Sequence, residues 1–364
     1  MQKRKSVSLQ QIADRAGVSK ATVSLALKGH PRISKTTKEK IKFLAKEMGY
    51  RPNPHLSKLM SSTKKGPLKD QGTLGFIRSG PTEEWNPVEQ KIFSKLTEIT
   101  DSRGYQLESF WLNNPDTTPE RINRIMWTRG IEGIIIPMIH PEMFHQGVRT
   151  LPVEWDKFCA VEFSDTLMVP RISGVRHNHF RGMLTTLAEL EADGYKRIGL
   201  TMWQDVELRT HHRWSAAYLL WKQLRGVMNE LPIFVPEEYD ANALLAWIDK
   251  NRLDVVVSPG QEVYRMLLQE GIKFPKDLGY ATLDQWGEGS EDVTGINQDM
   301  ESQLQTMMDI LIGQIHRAER GTPEHPVFAL NPGFWCSGST TRSPKKRPVV
   351  RHLDQEPLSS LVSE

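Results

Sequence analysis

Charge is divided unevenly along this chain, and the division predicts two parts with different partners. Residues 1–65 contain sixteen Lys and Arg and only three acidic residues, Asp14, Glu39 and Glu47, so their net charge is +13. The whole 364-residue chain carries +3, which leaves the other 299 residues at −10. A basic arm on an acidic body is typical of nucleic-acid binding, because Lys and Arg neutralise a duplex that carries one charge about every 1.7 Å.

Three short amphipathic segments within the basic arm predict a helix-turn-helix unit. Ser8 and Gln11 have the spacing of a capping box, Gly17 suits a left-handed turn, and Ser19 and Ser34 can begin the second and third helices. The apolar faces are Leu9, Ile12, Ala13 and Ala16; Val23, Ala26 and Leu27; and Ile41, Leu44, Ala45 and Met48. Any three-helix bundle could share this spacing, but the basic charge and the turn residues favour DNA binding.

The same segment carries a family resemblance. The run SLQQIADRAGVSKATVS at residues 8–24, with Ile33-Ser34 and the run GYRPN at residues 49–53, resembles the N-terminal signature of the lactose-repressor/galactose-repressor (LacI/GalR) family. The resemblance implies a transcriptional repressor, in which a small-molecule effector changes the affinity of a homodimer for a palindromic operator in double-stranded DNA. It also implies an N-terminal all-α helix-turn-helix headpiece plus an α/β two-lobed periplasmic-binding-protein-like (type I) body.

The predicted DNA contacts lie on the second helix and on a hinge. On the second helix they are Ser19, Lys20, Ala21, Thr22, Ser24 and Leu25, of which Lys20 can reach a guanine edge. Asn53 and Pro54 can begin a hinge helix over residues 54–60. The resemblance implies that the hinge contacts DNA through Asn53, His55, Leu56 and Leu59, with Leu59 as the side chain inserted into the minor groove. Alternatively, Leu56, Leu59 and Met60 pack only on one another.

Strands and helices alternate beyond a linker rich in Ser, Lys, Gly and Pro. The predicted strands are Thr73–Ile77, Gln106–Trp111, Gly133–Ile139, Phe158–Phe163, Ile198–Trp203, Asp254–Ser258 and Gly279–Leu283. The predicted helices cover 87–103, 118–129, 179–193, 207–225, 241–251, 261–271 and 299–318. This alternation predicts parallel sheets, and the length favours two lobes. The expected domains are a headpiece at 1–52, a hinge and linker at 53–72, an effector-binding and dimerisation body at 73–342, and a disordered tail at 343–364.

The carboxyl ends of the predicted strands indicate an effector pocket, because ligands of open parallel sheets bind there. The candidate contacts are Arg78, Ser79, Trp85, Asn86, His140, Asp165, His177, Trp203, Arg213, Ser258, Asp284 and Trp286. Aromatic faces with a few polar groups suit a sugar or a related polar metabolite. A solvated loop position is the alternative for each residue. Asp284 is the strongest candidate, since it matches a family position that often binds ligand hydroxyls.

The pocket also departs from the family pattern. His177-Asn178 replaces an Asp-Asn pair, Ser258-Pro259-Gly260 replaces Asn-Asp, and either Arg213 or Trp214 stands at the position of a usual pocket Arg. These differences predict a ligand unlike that of a typical hexose repressor, or an atypical pose.

Two other classes of function compete with a regulator. An extracytoplasmic solute-binding protein could share the body, but the basic headpiece and the lack of a signal-peptide pattern argue against it. An enzyme is not expected, because no catalytic motif is visible, and neither a cofactor nor a metal site is predicted. The absence of a long apolar run predicts no membrane partner and a cytoplasmic protein, in which Cys159 and Cys336 stay free, buried thiols.

Overall fold

The computed structural model describes residues 9–27, 33–48, 72–78, 87–112, 114–138, 150–164, 166–167, 169–285 and 292–342. The chain divides into two compact units. The first, here called the headpiece, comprises Met1–Gln71 with Gln314–Glu319. The second, here called the body, comprises Gly72–Gly313 with Arg320–Glu364.

Three helices form the described N-terminal part of the headpiece: α1 (Leu9–Ala16), α2 (Lys20–Leu27) and α3 (Lys35–Glu47). Their predicted apolar faces meet in one core, in which Ile12, Val23 and Ile41 are fully buried. Gly17 adopts the left-handed φ of +72° that the turn between α1 and α2 requires. The predicted three-helix arrangement is therefore confirmed for these residues.

The body contains two sheets, each forming one lobe. Its strands are β1 (Thr73–Arg78), β2 (Gln106–Trp111), β3 (Gly133–Ile136), β4 (Cys159–Phe163), β5 (Gly174–His177), β6 (Ile198–Leu200), β7 (Val255–Ser258), β8 (Gly279–Thr282), β9 (Gly295–Asn297), β10 (Phe328–Asn331) and β11 (Phe334–Cys336). The first lobe has the order β10-β5-β4-β3-β1-β2, with parallel pairs throughout. The second has the order β11-β9-β8-β7-β6 and is parallel except for β11.

Helices connect the parallel strands of both lobes. They are α4 (Pro87–Ser102), α5 (Pro119–Thr128), α6 (His179–Ala192), α7 (Gln204–Arg209), α8 (Arg213–Leu224), α9 (Ala241–Lys250), α10 (Glu262–Gln269) and α11 (Met300–Arg317). The central strands β3 and β7 are runs of Ile and Val that are buried at every position. Such runs suit strands that helices cover on both faces.

The sequence prediction was wrong at one long helix and missed four strands. The helix predicted over 207–225 is two helices, because His211 and His212 both adopt left-handed φ angles, of 53° and 57°, and separate α7 from α8. The missed strands are β5, β9, β10 and β11, each three or four residues long. Segments this short carry no clear alternation and are stabilised by the strands beside them.

All seven predicted strands are present, although β3 and β6 end earlier than expected. Neither Cys159 nor Cys336 forms a disulfide with the described residues; Cys159 is buried as predicted, whereas the prediction of a buried thiol is wrong for Cys336, which is partly exposed. The predicted tail at 343–364 lies outside the described residues, as does the predicted hinge helix at 54–60.

Candidate functional site

The N-terminal turn of α2 forms an exposed face on the headpiece. Lys20 and Ala21 are exposed, while Thr22, Ser24 and Leu25 are half-buried. Ser19 fixes the start of the helix, because its Oγ accepts a hydrogen bond from the Thr22 backbone N–H at 3.1 Å and contacts the Thr22 hydroxyl at 2.9 Å. The structure thus brings the predicted contact residues together over the first two turns of α2.

The third helix, α3, packs against both α1 and α2. The Ser34 Oγ caps α3 by accepting from the Thr37 N–H at 3.2 Å, and the Lys40 ammonium donates to the Ala16 carbonyl at 3.3 Å. An exposed ion pair joins Arg15 to Glu47 at 3.2 Å. The predicted hinge contacts Asn53, His55, Leu56 and Leu59 lie outside the described residues and stay predictions.

In the body, a contact joins residues that follow the carboxyl ends of strands in the two sheets. Arg209, at the end of α7 in the second lobe, contacts the Met138 sulfur just beyond β3 in the first lobe. Arg78, His177, Trp203 and Asp284 stand at or after strand ends on these edges. The other predicted contacts Ser79, Trp85, Asn86, His140, Asp165 and Trp286 lie outside the described part of the chain.

Asp284 is held in place by the strand before it. Its backbone N–H donates to the Thr282 Oγ1 at 3.1 Å, and the Thr282 hydroxyl in turn reaches the Gly260 carbonyl at 2.9 Å. Burial raises the pKa of the Asp284 carboxyl to about 7, against the opposing effect of the Arg209 guanidinium. The Asp284 Oδ1 and the Arg209 Nε are both buried without a hydrogen-bond partner among the described residues. Sequence reasoning missed Arg209, because the break after α7 that positions it was not predicted.

The imidazole ring of His177 packs between two glycines. A Cβ on Gly182 would lie 2.5 Å from its Nε2, and a Cβ on Gly333 would lie 3.0 Å from its Cε1. Its side chain is 3% exposed, and its ring meets the His179 ring edge-on at 5.3 Å. His177 is therefore packed where the chain crosses from the first lobe to the second, and its contact with a ligand stays a prediction.

Arg213 and Trp214, the two candidates for the position of the family's usual pocket Arg, have different surroundings. Trp214 is 3% exposed and its ring lies 4.8 Å from the His179 ring, edge to face. Arg213 is half-buried at the first turn of α8, where its guanidinium reaches the Thr210 carbonyl at 3.3 Å. His179 was not predicted as a site residue, and its position depends on the missed strand β5.

Two further predicted residues have different surroundings. Trp203 lines a pocket of about 620 Å³ at the start of α7 and meets the Tyr239 ring at 4.7 Å. The other residues that line this pocket are Gln204, Asp205, Val206, Leu208 and Glu237. Ser258 is fully buried, with its hydroxyl 2.6 Å from that of Tyr280. We therefore leave Ser258 out of the proposed site.

His177 makes the stability of the body sensitive to acid. Burial lowers the pKa of its imidazole to about 4 from the usual 6.5, so the unfolded chain binds a proton more readily than the folded one. The stability that depends on the neutral ring is present above pH 6.5 and is lost as the pH falls towards 4. Between pH 7 and pH 5 we expect this group to cost about 2 kcal/mol.

Urea unfolding of wild type and His177→Gln at both pH values measures this contribution, because every other titrating group is common to the two proteins. The variant should lose about 2 kcal/mol less than wild type on acidification. His325→Gln, which removes an exposed imidazole, is the matched control. Equal acid sensitivity in wild type and His177→Gln would contradict the burial argument.

The described residues hold no cluster of His, Cys, Asp and Glu that could bind a metal ion, and no helix among them is long and apolar enough to cross a membrane.

Comparison with known proteins identifies the headpiece. The family model described as "Bacterial regulatory proteins, lacI family" matches residues 8–53. The LacI-family match thus covers the helix-turn-helix segment of the headpiece. The HTH-type transcriptional regulator GntR of Escherichia coli (strain K12) is 29% identical over 136 residues, which are 37% of this chain and 38% of GntR. The match thus spans 37% of the regulator MalR of Staphylococcus xylosus and 38% of GntR, well under two thirds of either relative.

Two solved regulator structures are similar to this chain in fold. The Lac repressor dimer bound to operator and the anti-inducer ONPF superposes with a TM-score of 0.53 at 18% identity, covering 93% of this chain and 100% of that one. The complex of the regulator CelR with cellobiose gives 0.52 at 20% identity, covering 92% and 99%. The chain therefore has a helix-turn-helix headpiece and a two-lobed α/β body of the periplasmic-binding-protein-like type.

Proposed function

We propose that this protein is a sequence-specific DNA-binding transcriptional repressor whose operator affinity is changed by a small-molecule effector. The observation that carries the proposal is the exposed first turn of α2, capped by Ser19, within a LacI-family helix-turn-helix. One such unit reads a half-site, so we propose a homodimer on a near-palindromic operator. The Lac repressor, which is similar in fold, binds operator as a dimer. Because its partner is DNA, the protein is proposed to act in the cytoplasm.

The effector is proposed to occupy the cleft between the lobes. A sugar or a related polar metabolite suits the unpartnered groups of Arg209 and Asp284, which can donate to and accept from ligand hydroxyls. CelR, which shares the fold, binds cellobiose. We propose that Arg78, Trp203, Arg213 and Asp284 contact the effector, with Ser79, Trp85, Asn86, His140, Asp165 and Trp286 as further contacts predicted from sequence.

A solute-binding protein without a gene-regulatory role is the alternative, but it would leave the basic helix-turn-helix without a function. We propose no enzymatic role, because GntR is named as a transcriptional regulator and the Lac repressor as a protein that binds operator DNA, and neither is named as an enzyme. A ligand can change operator affinity only through its different affinity for two arrangements of the lobes, typically by about 1–3 kcal/mol.

Lys20→Ala tests the DNA-binding role. Lys20 is exposed at the first turn of α2, where it can donate to the O6 and N7 of a guanine in the major groove. Selection of binding sites from random duplexes with the full chain gives the operator, and titration of single-base variants at fixed salt gives the energetics. We expect the substitution to cost about 1–3 kcal/mol and to remove discrimination at one base position of each half-site.

Lys42→Ala is the matched control, since it removes the same charge from an exposed position on α3. We expect it to leave base preference unchanged. A uniform loss of affinity across all operator variants with Lys20→Ala would show that Lys20 contacts only phosphate. Failure of the full chain to select any sequence would contradict the proposed function itself.

A further inference from the structure

The corner between α7 and α8 is a strained turn. His211 and His212 both adopt left-handed φ angles, of 53° and 57°, although neither is glycine. This conformation brings Cβ close to the following carbonyl oxygen, so it costs free energy for a residue with a side chain. Such strain persists only where the surrounding contacts fix the backbone. The corner therefore needs contacts that hold the end of α7 and the start of α8 together.

Glu207, on α7, provides these contacts. Its backbone carbonyl accepts from the His212 N–H at 3.0 Å, and its carboxylate Oε1 accepts from the His212 Nδ1 at 2.9 Å. The same oxygen accepts from the hydroxyl of Ser215, in the first turn of α8. Because the Glu207 side chain is only 12% exposed, these hydrogen bonds lie largely out of water, where they are stronger. One side chain thus joins the two helices.

The start of α8 also depends on this carboxylate. His212 stands at the N-cap position of the helix, but its side chain makes no capping hydrogen bond. A negative charge close to a helix N-terminus is favourable, because the helix dipole is positive there. Glu207 reaches Ser215, the third residue of α8, and so places a carboxylate at this end from outside the helix.

Arg209 ends α7 and extends from this corner to the first lobe. Its Nη1 contacts the Met138 sulfur just beyond β3, whereas its Nε is buried without a partner among the described residues. A thioether is only a weak acceptor, so the contact itself contributes little to fixing the guanidinium. The position of the guanidinium therefore depends on the backbone at the end of α7, which the corner holds.

We propose that Glu207 is a positioning residue, which holds the corner so that Arg209 bridges the two lobes in one of the arrangements on which operator affinity depends. The inference rests on the proposed function, because a repressor of this kind needs at least two arrangements of its lobes. Loss of the Glu207 carboxylate frees the corner and weakens the bridge between Arg209 and Met138. Glu207 acts through Arg209 and is not itself an effector contact.

Methyl NMR of the full chain, with methionine methyl groups labelled with 13C, tests the positioning role without DNA or a ligand. The Met138 resonance reports on the bridge, and its loss in Met138→Leu assigns it. We expect Arg209→Gln to move this resonance by more than its linewidth and Glu207→Ala to move it to the same position. The double variant should match Arg209→Gln alone, and additive shifts would overturn the inference. The fully buried Met126 and Met183 are internal controls whose resonances should not move.

Two further variants separate positioning from a general effect on stability. In Glu207→Gln the amide oxygen can still accept from Ser215 and His212, so the Met138 resonance should keep its wild-type position. Glu270→Ala removes an exposed carboxylate from the second lobe, and as the matched control it should leave the resonance unchanged. A Glu207→Ala protein with a lower Tm but an unmoved Met138 resonance would overturn the inference, because it would show only a structural role.

Operator titration tests the link to regulation. Glu207→Ala and Arg209→Gln should change the affinity for the selected operator in the same direction, by about fivefold or more, while Glu270→Ala should not. Unchanged operator affinity in Glu207→Ala with a moved Met138 resonance would overturn the regulatory part of the inference and leave the proposed function intact. If the full chain selects no operator, the proposed function fails, while the NMR result still decides the role of Glu207.

Discussion

Replacement of Ile41 by alanine is expected to unfold the headpiece and abolish specific DNA binding. Ile41 is fully buried on α3, in a core of seven buried side chains, four of which are alanines. Truncating a buried Ile costs about 2–5 kcal/mol, and a unit with so small a core has little stability to lose. We expect operator affinity to fall at least 100-fold.

The melting transition of the body should be unchanged in Ile41→Ala, because the headpiece is a separate compact unit. Calorimetry and operator titration of the same sample measure both effects. Phe43→Ala is the control: Phe43 lies two residues away on α3 and is 68% exposed, so its removal should leave the headpiece folded. A fully active Ile41→Ala protein would show that the headpiece is stabilised by more than this core.

Replacement of Gly174 by alanine is expected to destabilise the first lobe by about 3 kcal/mol, at the upper end of the usual cost of overpacking. A Cβ on Gly174 would lie 2.1 Å from the Glu162 carbonyl oxygen, which is backbone and cannot rotate away. The strand has no room to move, because β5 pairs with β4 on one side and with β10 on the other.

Gly75→Ala provides the comparison within the same sheet. Its Cβ would meet the Ile134 Cγ2 at 3.2 Å, a side-chain atom that can shift by a few tenths of an ångström, so we expect a smaller loss. Urea unfolding followed by circular dichroism gives both free energies. Wild-type stability in Gly174→Ala would mean that β4 and β5 can separate without cost.

The headpiece was predictable from sequence because its signals are local. Ser19 and Ser34 cap the helices that follow them, and Gly17 provides the left-handed turn. Each cap and apolar face depends on residues no more than a few positions apart, so the order of residues largely fixes the helices. The central strands β3 and β7 were also predictable, since continuous runs of Ile and Val suit buried parallel strands.

The cleft, in contrast, was decided by tertiary structure. The His179 ring meets the His177 ring only because the four-residue strand β5 is held between two neighbours, which no local pattern shows. The break at His211 and His212 ends α7 at Arg209, whose charge acts on the Asp284 carboxyl, and starts a new helix at Arg213. Local residue order specifies the helix-turn-helix and the alternating body, because caps and periodic burial act over short distances. Only the assembled lobes determined which charges share one buried site, because Coulomb interactions and desolvation depend on separation in space and not along the chain.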